Sequence, residues 1–203
     1  MNQSDLFLRL SGEWQGHQPR RFSRAGLREA AVLVAVTDHP YQPSLLLTRR
    51  AADMPTHQGE VAFPGGKRDD TDHDLVATAL REAHEEVGLS PEYVQVVGML
   101  DQVVSKFGFL VTPVLAVIPH EVALTADPRE LDCLFHVPLA FFDQPPSGYF
   151  QRDGIRMPTW IFERFRIWGL TAYITAEMLN RYFAAEIALG TVVPATAEDP
   201  EDV

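Results

Sequence analysis

Runs of apolar residues and polar interruptions along the chain predict strands mixed with helices. Continuous apolar runs at residues 30–36 and 44–48 predict two strands joined by a loop that contains two prolines. Further strands are predicted at residues 61–63, 93–100, 111–118, 131–137 and 157–162. Helical spacing predicts a helix at residues 74–87 and a closing helix at residues 171–189. This order of elements predicts an α/β fold whose sheet is covered on both sides.

The length of 203 residues, 46% of them hydrophobic, fits a single domain with a sizeable core. We expect this domain to span residues 1–193, with residues 1–29 as an N-terminal extension. Residues 194–203 contain four acids and two prolines and are expected to form a disordered tail. The chain has no run of about 18 apolar residues, so we expect no membrane partner.

The charge balance is acidic, with 17 Lys and Arg against 28 Asp and Glu and a net charge of −11. Such a surface repels phosphate backbones, so no nucleic-acid partner is expected. Cys133 is the single cysteine and cannot form an internal disulfide, which indicates a reducing, cytoplasmic location.

Three glutamates on the predicted mid-chain helix carry the strongest indication of chemistry. Glu82, Glu85 and Glu86 are spaced three and four residues apart, so at about 100° per residue they share one face and are expected to converge. A divalent cation that prefers oxygen ligands, Mg²⁺ or Mn²⁺, relieves the repulsion among three carboxylates. A solvated acidic helix face is the alternative interpretation of this spacing.

The surroundings of the glutamates favour the metal site. Across the helix, Val76, Leu80, Ala83 and Val87 form an apolar stripe that is expected to dock on a sheet. Gly88 follows as the expected C-terminal stop. The helix is preceded by a Phe-Pro-Gly-Gly turn at residues 63–66, which allows the backbone to approach a ligand closely. Carboxylates on a packed helix beside such a turn form a rigid site.

Residues 66–89 resemble the Nudix box, G-x5-E-x7-R-E-U-x-E-E-x-G-U, in which U is apolar. The second half matches at every specified position, with Ala83 as the first apolar residue. In the first half, Asp72 occupies the place of the early Glu, and eight residues instead of seven separate it from Arg81. The resemblance implies an α/β/α sandwich with a mixed sheet. It also implies that Arg81 is a structural brace, whose partner is Asp72 or Asp74.

Upstream residues resemble the coenzyme A pyrophosphatase branch of that family, whose pattern is close to L-L-T-x-R-S-x3-R-x3-G-x3-F-P-G-G-K. Residues 46–50 read L-L-T-R-R, and residues 57–69 read H-Q-G-E-V-A-F-P-G-G-K-R-D. Ala51 occupies the Ser place and Pro55 occupies the second Arg place, which removes a cation suited to a phosphate. The likeness extends to about residue 172.

This resemblance implies metal-dependent hydrolysis of the pyrophosphate of coenzyme A or its thioesters to 3′,5′-ADP and (acyl-)4′-phosphopantetheine. Because Pro55 replaces that arginine, the alternative substrate is another nucleoside diphosphate derivative, such as ADP-ribose or NADH. A non-catalytic, nucleotide-sensing Nudix-like module is the third possibility. Homodimerisation is an expectation at the level of the family.

Catalytic roles are assigned to the acids of the box. Glu82 and Glu86 are expected to bind the divalent ion, with Glu85 as a further ligand or as the base for the attacking water. The late acid Glu130 is an alternative base, because a loop acid at that place serves in some Nudix enzymes, and an exposed turn carboxylate is the other interpretation of this residue.

Substrate contacts are expected around the glycine turn. The candidate substrate-binding residues are Gly65, Gly66, Arg49, Arg50, Lys67 and His57. For the cations the alternative is a solvated surface position, and for His57 it is a hydrogen bond within its loop. Trp168 and Phe107 are candidates to stack on an adenine ring, with core packing as the alternative for Trp168.

Overall fold

The structure is a computed structural model that describes residues 4–22, 26–51, 59–152 and 155–190. Its α-helices are α1 (Asp5–Trp14), α2 (Leu75–Val87) and α3 (Gly169–Tyr182). The first strands are β1 (Arg28–Thr37), β2 (Ser44–Arg50), β3 (Val61–Ala62), β4 (Gly65–Lys67), β5 (Gln95–Met99) and β6 (Val103–Val104). The later strands are β7 (Phe109–Ile118), β8 (Leu131–Pro138), β9 (Gly148–Arg152), β10 (Ile155–Phe162) and β11 (Phe165–Ile167). Short 3₁₀ helices are formed by Pro91–Tyr93 and Leu139–Asp143.

The main sheet is mixed, with strand order β3-β2-β1-β7-β5. Its centre is the parallel pair of β1 and β7, in register from Arg28 opposite Phe109 to Thr37 opposite Ile118. β2 and β4 pair with β1, β6 pairs with β7, and β8 pairs with β2, all antiparallel. β9, β10 and β11 form a separate antiparallel sheet.

Helices cover both faces of the main sheet. Along β1, Ala31, Leu33 and Ala35 belong to the core under α2, whereas Val34 and Val36 belong to the core under α1 and α3. Successive side chains of a strand point to opposite faces, so a strand covered on both sides is apolar throughout. The predicted α/β fold with a mixed sheet is confirmed. In the described residues, no helix is long and apolar enough to cross a membrane.

Two parts of the element prediction are wrong. The closing helix ends at Tyr182 instead of residue 189, because Ala184 adopts a left-handed φ of 51° and the chain turns back. The Asn180 side chain fixes this return with 2.8 Å hydrogen bonds to both the N–H and the carbonyl of Ile187. Strands β4, β6, β9 and β11 were not predicted, since they are short and lack a long apolar run.

The N-terminal extension packs on the body of the protein. Leu10 of α1 is fully buried, and the indole of Trp14 donates a 3.1 Å hydrogen bond to the carbonyl of Met99. Gly98 leaves room for that indole, since a Cβ there would overlap the ring. The predicted tail, residues 194–203, lies outside the described residues.

An ion cluster joins the extension to α3. Arg20 donates to Asp101, with Nε 2.5 Å from Oδ2, and to Glu177, with Nη2 3.0 Å from Oε1. Burial, together with the charge of Asp101, raises the pKa of Glu177 to about 7. Glu177 therefore stays protonated in the folded state up to a higher pH than it does in the unfolded chain.

Glu177→Gln is expected to remove a pH dependence of stability. Because the pKa of Glu177 is raised in the folded state, its contribution to stability is most favourable below its unfolded pKa. That contribution is lost as the pH rises to about 7. At pH 8 the variant should exceed wild type in free energy of unfolding by about 2 kcal/mol, with little difference at pH 5. Urea denaturation at both values measures this, and an equal difference at pH 5 and pH 8 would contradict it.

Candidate active site

Helix α2 is fixed at both ends by its own sequence. The Asp74 carboxylate caps the first turn by accepting a 2.8 Å hydrogen bond from the N–H of Ala77. Gly88 ends the helix in the left-handed conformation, with φ of 68°, and its N–H donates to the carbonyls of Ala83 and His84. The glutamates thus occupy the last two turns of a helix with defined ends.

The packed face of α2 differs from the predicted stripe. Its buried residues are Thr78, Ala79, Ala83, Glu86 and Val87, whereas Val76 and Leu80 are half-buried. Glu86 follows Ala79 by seven residues and Ala83 by three, so it lies on the face that meets the sheet. The prediction that all the glutamates lie across the helix from the packing face is therefore wrong for Glu86, which is only 3% exposed.

Glu86 is a buried carboxylate aimed at the glycine turn. Its Oε2 accepts a 3.0 Å hydrogen bond from the N–H of Gly65, and its Oε1 lies 3.7 Å from Nη1 of Arg50. Burial raises the pKa of Glu86 to about 7, against the opposing effects of Gly65 and Arg50. The nearby charges of Glu82 and Glu130 raise it further. The box glutamate and the late acid therefore belong to one electrostatic site.

The two glycines make room for this arrangement. A Cβ on Gly66 would lie 2.5 Å from Oε2 of Glu82, so that carboxylate rests directly against the backbone of the turn. A Cβ on Gly65 would lie 2.6 Å from the Cα of Val32 in β1. Burial also raises the pKa of Glu82, and Arg81 opposes that effect. Only glycine permits both close approaches.

Glu85 lies on the exposed side of the helix, away from the buried Glu86. Its side chain is 54% exposed, and its Oε2 accepts a 3.0 Å hydrogen bond from Nη1 of Arg81, which also bonds Oε1 of Glu82. Relative to Glu82, helical geometry turns Glu86 about 40° towards the sheet and Glu85 about 60° the other way. Among the described residues, no group of three or more His, Cys, Asp or Glu side chains is arranged to hold a metal ion. The predicted convergence of all three is not seen.

The donor set nevertheless suits a divalent ion. The charge of Glu82 raises the pKa of Glu86, and a bound cation would reverse that effect. Among described residues, Oε1 of Glu86 has only the 3.7 Å contact with Arg50, which is longer than a hydrogen bond. Mg²⁺ and Mn²⁺ prefer such carboxylate oxygens.

Arg81 ties the helix to the turn that precedes it. Its Nε and Nη2 bond the two oxygens of Asp72 at 3.0 and 2.9 Å, and Nη2 also donates to the carbonyl of Lys67 at 3.0 Å. These bonds hold the pKa of the Asp72 carboxyl well below its usual range, although burial opposes them. Asp74 is used as the helix cap. The partner of Arg81, left open by the sequence between these two aspartates, is Asp72.

Asp72→Asn is expected to lower the free energy of unfolding by about 2 to 3 kcal/mol at pH 7, because it breaks a buried, bidentate ion pair. Because the pKa of Asp72 is lower in the folded state, its contribution to stability is fully present above the unfolded pKa of about 3.9. That contribution is lost as the pH falls below this value. Urea denaturation from pH 7 to pH 3 should show the difference shrinking. Asp132→Asn, in the more exposed pair with Arg49, should cost less than about 1 kcal/mol. Equal losses of unfolding free energy in the two variants would contradict the role of the Arg81–Asp72 pair as a structural brace.

The remaining predicted residues lie at different distances from this centre. Lys67 is exposed, with Nζ 5.8 Å from the ring centroid of Phe109. Arg49 bonds Asp132, with Nη2 2.8 Å from Oδ2. His57 and Pro55 fall outside the described residues.

Known proteins resemble this chain along most of its length. The family model described as NUDIX domain matches residues 27–146. An uncharacterized Nudix hydrolase NudL from Cronobacter sakazakii is 43% identical over 188 residues, covering 88% of this chain and 96% of that protein. A protein of the same description from Salmonella newport is 44% identical over 158 residues, covering 74% and 81%. The crystal structure of a MutT/nudix family protein from Enterococcus faecalis is similar in fold, with a TM-score of 0.50 at 15% identity, covering 84% and 65%.

Proposed function

Because this chain belongs to the Nudix hydrolase family, whose members use divalent metal ions, we propose that it cleaves the pyrophosphate of coenzyme A or its thioesters. The products would be 3′,5′-ADP and (acyl-)4′-phosphopantetheine. One observation carries the assignment of the centre. The buried Glu86 carboxylate is held by the N–H of Gly65 while Glu82 rests against Gly66.

Glu82 and Glu86 are the residues that would hold the divalent ion, Mg²⁺ or Mn²⁺. When bound, such an ion neutralises phosphate oxygens, orients the substrate and lowers the pKa of bound water. The rigid backing of the site comes from the sheet behind Glu86 and from the Arg81–Asp72 pair.

Two acids are candidates for the base that takes a proton from the attacking water. Glu85 is exposed and bonded to Arg81, whereas the charge of Glu130 raises the pKa of both Glu82 and Glu86. The dependence of turnover on pH in the Glu85→Gln and Glu130→Gln variants separates the two candidates. The variant that lacks the base should lose the part of the pH profile that reports deprotonation of that base.

The two halves of the branch pattern meet at Glu86, which supports the coenzyme A assignment. The L-L-T-R-R half lies on β2 and contributes Arg50, while the F-P-G-G-K half lies on β4 and the link that joins it to β3 and contributes Gly65. β2 and β3 are paired, with Thr48 opposite Ala62. Both halves contact the same carboxylate, which accounts for their occurring together in one pattern.

A substrate panel tests the proposal. The purified chain is incubated with Mg²⁺ or Mn²⁺ and coenzyme A, acetyl-coenzyme A, ADP-ribose or NADH, and the products are identified by mass. We expect selective cleavage of the coenzyme A compounds and its loss in excess chelator. Preference for ADP-ribose or NADH would indicate another nucleoside diphosphate hydrolase, as the Pro55 substitution allows. Metal-dependent binding without turnover would indicate a sensing module.

A further inference from the structure

A basic cavity of about 360 Å³ lies on the far side of β2 and β3 from helix α2. Arg49 of β2, Arg164 and Arg166 at the β10–β11 hairpin, and Trp168 at the start of α3 line it. The catalytic assignment above uses none of these four side chains.

The arginines give the cavity a positive charge that stands out on a protein of net charge −11. Arg49 is paired with Asp132, but neither Arg164 nor Arg166 forms an ion pair with a carboxylate in the part of the chain that the structure describes. Glu60 also lines the cavity, and it balances only part of their charge. Unbalanced arginines beside a concave surface favour binding of an anion.

Each of the two guanidinium groups lies over an aromatic ring. Arg164 lies with Cζ 5.0 Å from the ring centroid of Phe165, and Arg166 lies with Cζ 5.3 Å from that of Trp168. A guanidinium that lies over a ring can keep N–H groups available, and its planar fork matches the oxygens of a phosphate. This pairing favours a phosphomonoester, with the half-buried Trp168 beside it as a surface for an adenine ring.

The first turn of α3 lies beside the same cavity. Thr171 Oγ1 donates a 2.9 Å hydrogen bond to the carbonyl of Val61, a residue of the cavity wall. Trp168, at the N-cap of this 14-residue helix, makes no capping hydrogen bond with its side chain. The positive end of the helix dipole therefore adds to the field of the arginines.

The cavity and the glutamate site lie on the two faces of the sheet at the end of β2. Arg49 and Arg50 are the last two residues of β2, so their side chains leave opposite faces, Arg49 towards the cavity and Arg50 towards Glu86. Strand β3, which pairs with this end of β2, is only two residues long. A ligand with two separate anionic groups can extend past the end of so short a strand.

We propose that this cavity binds the ribose phosphomonoester of the substrate, the 3′-phosphate in coenzyme A, through Arg164 and Arg166 while its adenine lies against Trp168. The proposal rests on the function proposed above and specifies it. It assigns to the hairpin the discrimination between coenzyme A and nucleoside diphosphate compounds that lack a second phosphate.

Kinetics with coenzyme A and dephospho-coenzyme A test this role, because the two substrates differ only in the 3′-phosphate. Wild type should prefer coenzyme A in kcat/KM by about 10- to 100-fold, as expected for charge-assisted bonds from two arginines. The variant Arg164→Ala/Arg166→Ala should lose that preference, chiefly through a higher KM for coenzyme A. Arg156→Ala removes an exposed arginine of β10 outside the cavity wall and should retain it. Equal losses on both substrates, or no loss, would overturn the proposal.

A binding measurement separates failure of this proposal from failure of the proposed function. Calorimetry on the full chain in EDTA compares 3′,5′-ADP with 5′-AMP, so neither turnover nor metal is involved. Wild type should bind 3′,5′-ADP at least about 10-fold more tightly, and the double variant should bind both alike. Equal binding by wild type overturns the cavity assignment. Selective binding without coenzyme A cleavage overturns the proposed function but supports the cavity as a phosphomonoester site.

Discussion

Glu86→Gln is expected to lower kcat by about 10³-fold, since the loss of an anionic metal ligand removes several kcal/mol of transition-state stabilisation. The amide oxygen of glutamine retains an acceptor for the N–H of Gly65, so the turn and the helix should keep their positions. Burial has already raised the pKa of Glu86 to about 7, so a neutral side chain is no worse buried there. We therefore expect a melting temperature equal to or above that of wild type.

Turnover and thermal unfolding are measured on the same preparations of this variant. Glu121→Gln, at a side chain that is 88% exposed, is the control for charge removal and should leave both quantities unchanged. Turnover of Glu86→Gln near that of wild type, in a folded protein, would contradict the role of Glu86 as a metal ligand. A lowered melting temperature would instead assign this carboxylate to the fold.

Much of the fold and of the glutamate site could be predicted from the sequence because these features depend on local geometry. The bounds of α2 follow from a cap at Asp74 and a stop at Gly88, both set by neighbouring residues. The central strands follow from long apolar runs, since a strand covered on both faces has no polar alternation. The spacing of the box placed Glu82 and Glu86 next to the glycine turn, where the structure also has them.

Other features depend on tertiary contacts that the sequence does not display. Helical spacing puts Glu85 and Glu86 on one face, but only docking on the sheet decides that Glu86 is buried and Glu85 is exposed. The choice of Asp72 over Asp74 depends on where the turn at residues 68–73 folds back. Arg164 and Arg166 were not predicted as site residues, because a three-residue strand gives no periodic signal and no motif includes them.

Gly66→Ala is expected to lower kcat/KM by about 10²-fold while changing the free energy of unfolding by less than about 1 kcal/mol. The backbone at Gly66 has no positive φ, so alanine fits its conformation. The added Cβ would instead meet the Glu82 carboxylate, at 2.5 to 2.6 Å from its atoms. That carboxylate is the end of a flexible side chain and can move away, which spares the fold but displaces a metal ligand.

Two comparisons show whether the effect of Gly66→Ala passes through Glu82. If it does, adding Gly66→Ala to Glu82→Ala should cause no further loss of kcat/KM, because the displaced group is already absent. Gly12→Ala in α1, where a Cβ meets no heavy atom within 4 Å, should leave kcat/KM unchanged and slightly stabilise the helix. Additive losses in the double variant would mean that alanine acts on the turn itself. In that case the close approach between Gly66 and Glu82 would serve packing, and the ion would have to be held without it.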